Sequence, residues 1–165
     1  MTEPAARASV TVHAPPDLVY TMVSDIERMP EWAVECERNS WLGADTAPRV
    51  GARFRGHNRK GGRRWSTTAT VTAADPGNRF AFRVTSLGLP VSEWAYDIEP
   101  TPDGCRVTES TWYQVGFLLR RFLAPVVTGF PNRAVRTATN QRNIARTLER
   151  LKAAAEARAA PRPRQ

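Results

Sequence analysis

The sequence contains few of the residues that build metal centres and covalent cross-links. It has two cysteines and two histidines in 165 residues. Neither Cys36 and Cys105 nor His13 and His57 stand at the spacing of a zinc site. The sequence is compatible with a disulfide between the two cysteines, but it favours two free thiols in a reducing cytoplasm. We therefore expect no metal site.

Several signals of catalysis and targeting are also missing. The chain has no glycine-rich phosphate loop, no Gly-x-Ser-x-Gly elbow and no cysteine–histidine nucleophile signature. No apolar segment follows a basic start at the N-terminus. The most apolar stretch, residues 117–130, is shorter than the about 20 residues that cross a bilayer. We therefore expect a cytoplasmic protein without a cofactor.

Lysine is scarce, yet the chain is strongly basic. The formal net charge is +8, and Lys60 and Lys152 are the only lysines, so nearly all of the positive charge comes from arginine. Basic residues concentrate in what we call the basic hairpin, which contains Arg53, Arg55, His57, Arg59, Lys60, Arg63 and Arg64. The aromatic residues Phe54 and Trp65, which a nucleic-acid reader would interleave with these charges, fall on the opposite face. We therefore expect no nucleic-acid partner and interpret the hairpin as a solvated strand face.

The length and composition predict one domain. With 165 residues, of which 41% are hydrophobic, the chain can bury a core without cross-links. We place a single domain at residues 8–156. A short N-terminal tail, residues 1–7, precedes it. A tail rich in arginine, alanine and proline, residues 157–165, follows it and is predicted to be disordered.

Alternation of apolar and polar residues predicts seven strands. They cover residues 8–14, 37–42, 52–58, 64–73, 79–86, 92–99 and 105–113. The first is predicted to be an edge strand. Glycine, proline and aspartate form turns between the later strands, one of them at 88–90. Such short connections predict antiparallel neighbours.

Helical patterns occur on both sides of this run of strands. Two short helices, or a helix and a turn, are predicted at 17–23 and 25–32. A long helix is predicted after Pro131. Its apolar stripe is formed by Ile144, Leu148, Leu151 and Ala155. Strands and helices that are segregated in this way predict an α+β fold.

The inward face of the predicted sheet is unusual for a core. It combines large aromatic residues with polar ones, and this combination is typical of a ligand pocket. An apolar segment at 117–130 is predicted to pack on the sheet as a kinked helix. The predicted ligand-binding residues are Trp32, Phe54, Asn58, Trp65, Thr67, Ala69, Phe82, Val84, Trp94, Tyr96, Glu109, Thr111, Phe122 and Val126.

Glu109 is the candidate for catalysis. If its carboxyl points into an aromatic cavity, burial raises its pKa and makes it a general acid or base. The alternative is that it faces solvent or pairs with an arginine such as Arg106. Asn58 and Tyr96 either orient a polar group of a ligand or satisfy backbone groups at the edge of the sheet.

Two further features have alternative interpretations. Trp32 is either a gate at the mouth of the pocket or a hydrophobic anchor for the short helices. Residues 117–130 are either a lid, with Pro125 and Gly129 as its flexible points, or simple packing against the sheet. Within that segment, Arg120 and Arg121 are placed to make transient contact with anionic headgroups of a membrane surface.

Five stretches carry a resemblance to a known family. They are Val12-His-Ala-Pro-Pro-Asp-Leu-Val-Tyr20, Asp25-Ile-Glu-Arg-Met-Pro-Glu-Trp32, Val50-Gly-Ala-Arg-Phe-Arg-Gly-His-Asn58, Trp65 with its threonine-rich strand, and Thr147-Leu-Glu-Arg-Leu-Lys-Ala-Ala-Ala-Glu156. With the order of elements, they resemble polyketide cyclase/dehydrase-type members of the SRPBCC superfamily, which has the START-like or helix-grip fold. The resemblance implies a curved sheet wrapped around the C-terminal helix, with a cavity between them. Members bind lipids, sterols or polyketides, only some are enzymes, and no common catalytic motif transfers to positions here.

Three functions follow from these observations. The leading hypothesis is a protein that binds a small apolar molecule, such as a lipid, a polyketide or an aromatic metabolite. The second is an aromatase/cyclase-like enzyme that acts on a polyketide, with Glu109, Tyr96 or Asn58 assisting enolisation or dehydration. The third is a charge-driven partner of nucleic acid or membrane, whose binding would weaken steeply with salt.

Overall fold

The sheet and the C-terminal helix account for most of the structure. The computed structural model describes residues 3–114 and 133–160. Its elements in chain order are β1 (Ala6–Val12), α1 (Pro16–Ser24), a single 3-10 turn (Met29–Glu31), β2 (Cys36–Trp41), β3 (Arg53–Lys60), β4 (Arg63–Asp75), β5 (Arg79–Ser86), β6 (Leu89–Thr101), β7 (Gly104–Tyr113) and α2 (Arg133–Ala159). The seven strands form one antiparallel sheet in the order β1-β7-β6-β5-β4-β3-β2. The predicted α+β helix-grip fold, with β1 at one edge, is confirmed.

The ends of some elements differ from the predicted ones. The strand β1 begins at Ala6 rather than at residue 8. The helix α2 continues to Ala159, past the predicted domain end at 156. There Arg158 forms an ion pair with Glu31 at 2.9 Å, so the predicted tail at 157–165 began too early. The predicted turn at 88–90 instead has Leu87 and Gly88 at positive φ, and Leu89 already belongs to β6.

Strand register places the inward side chains in rows across the sheet. One row runs from Phe54 through Ala69, Val84 and Ser92 to Tyr113, each paired with the next on the neighbouring strand. Since successive residues of a strand point to opposite faces, all five side chains lie on the same face. The prediction that the residues of this row in β3, β4, β5 and β7 point inward is therefore explained by the alternation of side chains along each strand, and all of them line the cavity described below.

The other side of the core comes from α2. The four residues of its predicted apolar stripe, Ile144, Leu148, Leu151 and Ala155, are at most 2% exposed. They belong to the same hydrophobic cluster as Val19 of α1. The predicted periodicity of the long helix is thus confirmed, and this stripe holds α2 against the sheet by burial of apolar area.

Polar side chains of α2 also bond to the backbone of β1. The side chain of Gln141 donates to Arg7 O at 2.7 Å and accepts from Arg7 N at 3.1 Å. Lys152 Nζ donates to Thr11 O at 2.7 Å. These bonds satisfy backbone groups on the side of β1 that faces away from β7.

Both Cys36, on β2, and Cys105, on β7, are free thiols. Residues 115–132, which include Phe122, Val126 and the predicted lid, lie outside the described residues.

Within the described residues no helix has the length and apolarity to cross a membrane. The same residues contain no group of three potential metal ligands.

Candidate functional site

A cavity of about 180 Å³ lies between the inward face of the sheet and α2. Ten of the predicted ligand-binding residues line it. They are Phe54, Asn58, Trp65, Thr67, Ala69, Phe82, Val84, Trp94, Tyr96 and Glu109. Their placement follows from the row geometry of the sheet, and their role in binding remains a prediction.

One wall of the cavity is aromatic. The rings of Phe54 and Phe82 meet edge to face with centroids 5.3 Å apart. Trp41 packs against Phe54 from outside in the same geometry at 5.8 Å. Trp94 Nε1 donates to Ser92 Oγ at 3.1 Å, so its polar atom is satisfied and its ring is free to face an apolar ligand.

The carboxyl group of Glu109 is buried in this cavity wall. It lies on β7 directly opposite Tyr96 of β6. Tyr96 Oη donates to Glu109 Oε1 at 3.0 Å, while Oε2 has no hydrogen-bond partner among the described residues. Burial raises the pKa of Glu109 to about 8, although the bond from Tyr96 acts in the opposite direction. The carboxyl is therefore mainly neutral at pH 7. This geometry excludes the alternatives that Glu109 faces solvent or pairs with Arg106.

The pKa of Tyr96 shifts as well. Burial, and secondarily the charge of Glu109, raise the pKa of its phenol well above the usual value. Tyr96 therefore remains protonated and acts as a hydrogen-bond donor. Of the two alternatives for Tyr96, the structure favours a polar contact inside the cavity over one with backbone groups at the sheet edge.

A second polar group comes from α2. Asn140 is 2% exposed and lines the cavity. Its Nδ2 donates to Tyr113 Oη at 3.3 Å, and its Oδ1 has no partner among the described residues. Thr137 Oγ1 also donates to Tyr113 Oη, at 3.5 Å. Tyr113 thus orients Asn140 from the β7 side of the cavity.

An ion pair lines the cavity where the segment before β2 meets α2. Arg136 Nη1 lies 2.9 Å from Glu35 Oε2, and the two side chains are 19% and 14% exposed. Asn143 Nδ2 donates to Glu35 Oε1 at 2.8 Å. Both oxygens of Glu35 are therefore bonded to α2. The cluster joins residues 33–36 to the helix and places a neutralised charge pair in the wall.

Two further polar side chains of the wall, those of Asn58 and Cys36, are bonded to neighbouring side chains. Asn58 Nδ2 lies 3.5 Å from Thr67 Oγ1, so it contacts a side chain of the wall and not the backbone. Cys36 Sγ donates to Asn39 Oδ1 at 3.4 Å. Burial raises the pKa of the Cys36 thiol to about 11, so it is not a nucleophilic thiolate at neutral pH.

Sequence comparison shows which family has this arrangement. The family described as "Polyketide cyclase / dehydrase and lipid transport" matches residues 4–156. The chain belongs to this family. The match spans both the sheet and α2, so the cavity lies wholly within the family's domain. No protein of curated function shows significant similarity to the chain.

Solved structures share the same fold. A polyketide cyclase-like protein from Corynebacterium glutamicum is 30% identical, with 96% of this chain and 95% of that chain covered and a TM-score of 0.63. The di-domain aromatase/cyclase StfQ of the steffimycin biosynthetic pathway is 18% identical, with 93% and 50% covered and a TM-score of 0.70. A protein from Thermus thermophilus is 20% identical, with 94% and 99% covered and a TM-score of 0.65. The last two likenesses concern the fold alone.

Two of the predicted ligand-binding residues, Trp32 and Thr111, do not line the cavity, and two more fall on residues that the structure does not describe. Trp32 is fully buried in the hydrophobic core, which favours the anchor over the gate. Thr111 is also fully buried, and its Oγ1 donates to Glu93 O at 3.0 Å. It shares the inward face of β7 but does not line the cavity. Phe122 and Val126 lie outside the described residues.

Sequence reasoning missed the contribution of α2. Arg136, Asn140, Asn143 and Thr147 line the cavity beside Ile144. Asn140 and Arg136 continue the apolar stripe of the helix toward its N-terminus at spacings of four, and Asn143 and Thr147 flank it, each one position before an apolar member. That spacing was the available signal. Residues 33–35, before β2, and Cys36 at its start were missed as well, because they show no alternation that would assign them a face.

The basic hairpin is partly neutralised by acidic residues. Glu37 on β2 accepts from Arg64 Nε at 3.1 Å and lies 3.6 Å from Arg59 Nη1. Lys60 Nζ donates to Thr139 on α2 at 3.2 Å. Arg53 and Arg55 are exposed on the outward face. The charges of Arg53 and Arg55 therefore lie on the side of β3 opposite the cavity, whereas Lys60 reaches α2.

Proposed function

We propose that the protein binds a small, mainly apolar molecule in the cavity between the sheet and α2. The observation that carries the proposal is an aromatic cavity that also presents buried polar atoms without partners among the described residues. Aromatic walls with few polar groups are the usual composition of a small-molecule site. Membership of a family described by polyketide cyclisation, dehydration and lipid transport supports the same function.

The size of the cavity supports a compact ligand. It measures about 180 Å³, while a dry apolar cavity of about 150 Å³ accepts benzene. Molecules with one ring or two fused rings, or a short acyl chain, are therefore the first candidates. Lipid, polyketide-derived and aromatic compounds of this size form the panel with which to test the proposal.

Native mass spectrometry of freshly purified protein is the first experiment. We expect a mass increment that corresponds to one apolar molecule per chain, which organic extraction then identifies. Protein that is isolated empty should bind members of the panel at one molecule per chain. Protein that is empty and binds no lipid or aromatic compound of the panel would contradict the proposal.

A second candidate function is catalysis of the aromatase/cyclase type, and the Glu109–Tyr96 pair favours it. A carboxyl with a pKa of about 8 populates both its acid and its base form near neutral pH. In a dehydration, the carboxylate of Glu109 would take the α-proton of a β-hydroxyketone. The carbon–carbon double bond forms as the carbon–oxygen bond breaks, and the departing hydroxide takes that proton to become water. No external oxidant or reductant is needed.

Substitution of Glu109 by glutamine separates the two functions. If the protein is an enzyme, Glu109→Gln abolishes turnover of a β-hydroxyketone substrate while binding remains within a few-fold of the wild type. If the protein is a carrier, the wild type shows no turnover and the substitution only tunes affinity. Dehydration is followed directly by the ultraviolet absorbance of the conjugated product.

A further inference from the structure

Two buried oxygen atoms of the cavity wall have no protein partner among the described residues. They are Oε2 of Glu109 and Oδ1 of Asn140, and the residues that carry them are 4% and 2% exposed. An unsatisfied polar atom at this depth costs about 1–3 kcal/mol. Both residues line the cavity, so a bound molecule can supply the missing bonds.

The other polar atom of each group is fixed by a tyrosine. Tyr96 bonds Glu109 Oε1 at 3.0 Å, and Tyr113 bonds Asn140 Nδ2 at 3.3 Å. The two side chains are therefore oriented before a ligand arrives, which lowers the entropy lost on binding. Glu109 and Tyr113 are four positions apart on β7, which corresponds to about 13 Å along the strand. The two unsatisfied oxygens thus belong to separate polar points of one cavity.

The hydrogen-bonding character of the two points differs. Burial raises the pKa of Glu109 to about 8, so the carboxyl carries a proton at pH 7. Because Oε1 accepts from Tyr96, the proton belongs on Oε2, which becomes a donor. Because Asn140 Nδ2 donates to Tyr113, its Oδ1 is an acceptor.

We propose that the molecule bound in this cavity is a ring-based hydroxyketone, whose carbonyl oxygen accepts a hydrogen bond from Glu109 and whose hydroxyl group donates one to Asn140. This inference rests on the proposed function, since it names the ligand class for the same cavity. It excludes a plain hydrocarbon chain as the preferred ligand, because such a chain leaves both oxygens unsatisfied.

The charges around the cavity favour a neutral ligand. Among the described cavity residues, Arg136 on α2 is the cationic side chain, and Glu35 already neutralises it at 2.9 Å. The titratable group in contact with Glu109 is Tyr96 of β6, and Cys36 of β2 in turn acts on Tyr96; burial raises the pKa of both. A carboxylate ligand would therefore meet a buried carboxyl and no unpaired cation in this part of the chain.

Four bicyclic probes test the proposal. They are tetralin, 1-tetralone, 5,6,7,8-tetrahydro-2-naphthol and 6-hydroxy-1-tetralone, which share one skeleton and differ in the carbonyl and hydroxyl groups. Their affinities for the full chain are measured by isothermal titration calorimetry at pH 7. The protein variants are Glu109→Leu, which removes the donor, Glu109→Gln, whose amide restores a donor at the same position, and Asn140→Leu. Circular dichroism confirms that each variant is folded.

We expect 1-tetralone to bind the wild type about 10-fold more tightly than tetralin, as one satisfied buried hydrogen bond predicts. The preference should persist in Glu109→Gln and disappear in Glu109→Leu. The wild type should also bind each hydroxyl-bearing probe more tightly than the probe that lacks only the hydroxyl group. This second preference should disappear in Asn140→Leu and persist in the two Glu109 variants. Equal affinity for all four probes would overturn the hydroxyketone inference while leaving the proposed function intact. Failure of every probe to bind, tetralin included, would count against the proposed function itself.

The pH dependence gives an independent readout. Ionisation of Glu109 removes the donor and sets a negative charge beside the ketone oxygen. The preference of the wild type for 1-tetralone over tetralin should therefore decrease between pH 7 and pH 9, as the pH passes the pKa of about 8. In Glu109→Gln the preference should stay constant over that range. An equal decrease in both proteins would show that Glu109 does not donate to the ketone.

Discussion

Tyr96 and Glu109 face each other across β6 and β7, and the phenol donates to the carboxyl at 3.0 Å inside the cavity. The contact joins a donor that remains protonated to a carboxyl that burial keeps mainly neutral at pH 7. It satisfies one oxygen of the carboxyl and leaves the other without a partner among the described residues, so we expect the same pair to affect both stability and ligand binding.

The stability of the wild type should decrease relative to Glu109→Gln as the pH rises. The pKa of Glu109 is about 8 when folded, against an ordinary value of 4.5 for a solvated glutamate. Between these values the folded state holds a proton that the unfolded state has lost, so stability is fully present below about pH 4.5 and is lost up to about pH 8. We expect the advantage of Glu109→Gln to grow by a few kcal/mol, on the order of 1.4 kcal/mol per pKa unit, over this range.

Urea denaturation at pH 5 and at pH 8.5 measures that difference. The glutamine variant has no carboxyl at position 109. The change in its free energy of unfolding between the two pH values therefore measures the contribution of all other titrating groups. An advantage that is the same at both pH values would contradict a raised pKa for Glu109.

Removal of the Tyr96 hydroxyl should raise the pKa of Glu109 further. In Tyr96→Phe, Oε1 loses its donor, and that bond is the contribution that lowers the pKa. The variant should also lose about 1–3 kcal/mol of stability at neutral pH, because a buried acceptor is left unsatisfied. Carbon-13 NMR titration of the Glu109 side chain measures the pKa, and denaturation measures the stability. A pKa that falls in Tyr96→Phe would disprove this account of the pair.

The Glu35–Arg136 ion pair should stabilise the cavity wall more than an exposed pair does. Arg136→Met leaves Glu35 mostly buried and bonded to Asn143 alone. We expect a loss of about 2 kcal/mol in the free energy of unfolding. Arg28→Met is the matched control, because Arg28 and Glu31 are 51% and 44% exposed. Its unfolding midpoint should remain unchanged within error. Equal effects of the two substitutions would show that the Arg136 pair has no special role.

Gly104 at the start of β7 should not tolerate a side chain. Its φ is +149°, and a Cβ atom there would overlap the carbonyl oxygen of Val12 and lie 2.9 Å from Ala14 N. Gly104→Ala must therefore displace β1 from β7, and we expect it to cost at least about 2 kcal/mol. Gly62→Ala is the control, since no atom lies within 4 Å of its added Cβ. Urea denaturation compares the two, and a stable Gly104→Ala protein would contradict the prediction.

The inward face of the sheet could be predicted because strand geometry is strictly periodic. Alternation alone assigned Phe54, Thr67, Phe82, Tyr96 and Glu109 to one face, and antiparallel register then brings them together. Local sequence therefore determined which residues can reach the cavity. Alternation could not show which positions of that face are open to the cavity. For this reason Thr111 was predicted to line the cavity, although it is fully buried away from it.

The contribution of α2 could not be predicted in the same way. The apolar pattern predicts a stripe that begins at Ile144, because the preceding stripe positions, Asn140 and Arg136, are polar. A polar residue at a stripe position has the same sequence pattern whether it faces solvent or a cavity. Only the packing of the helix on the sheet distinguishes the two. The bond between Asn140 and Tyr113 connects positions 27 residues apart, so no local pattern contains it.

The bonds from α2 to β1 have a consequence for association between chains. An exposed edge strand offers its free backbone groups to any other strand, and this is a common route to aggregation. In β1 both outward backbone groups of Arg7 are already bonded to Gln141 and the carbonyl oxygen of Thr11 to Lys152, and His13 N, just past the strand, donates to Glu156 at 2.9 Å. Three side chains of one helix thus occupy several of the places that an eighth strand would fill. The β1 edge is thereby protected against extension of the sheet into a second molecule.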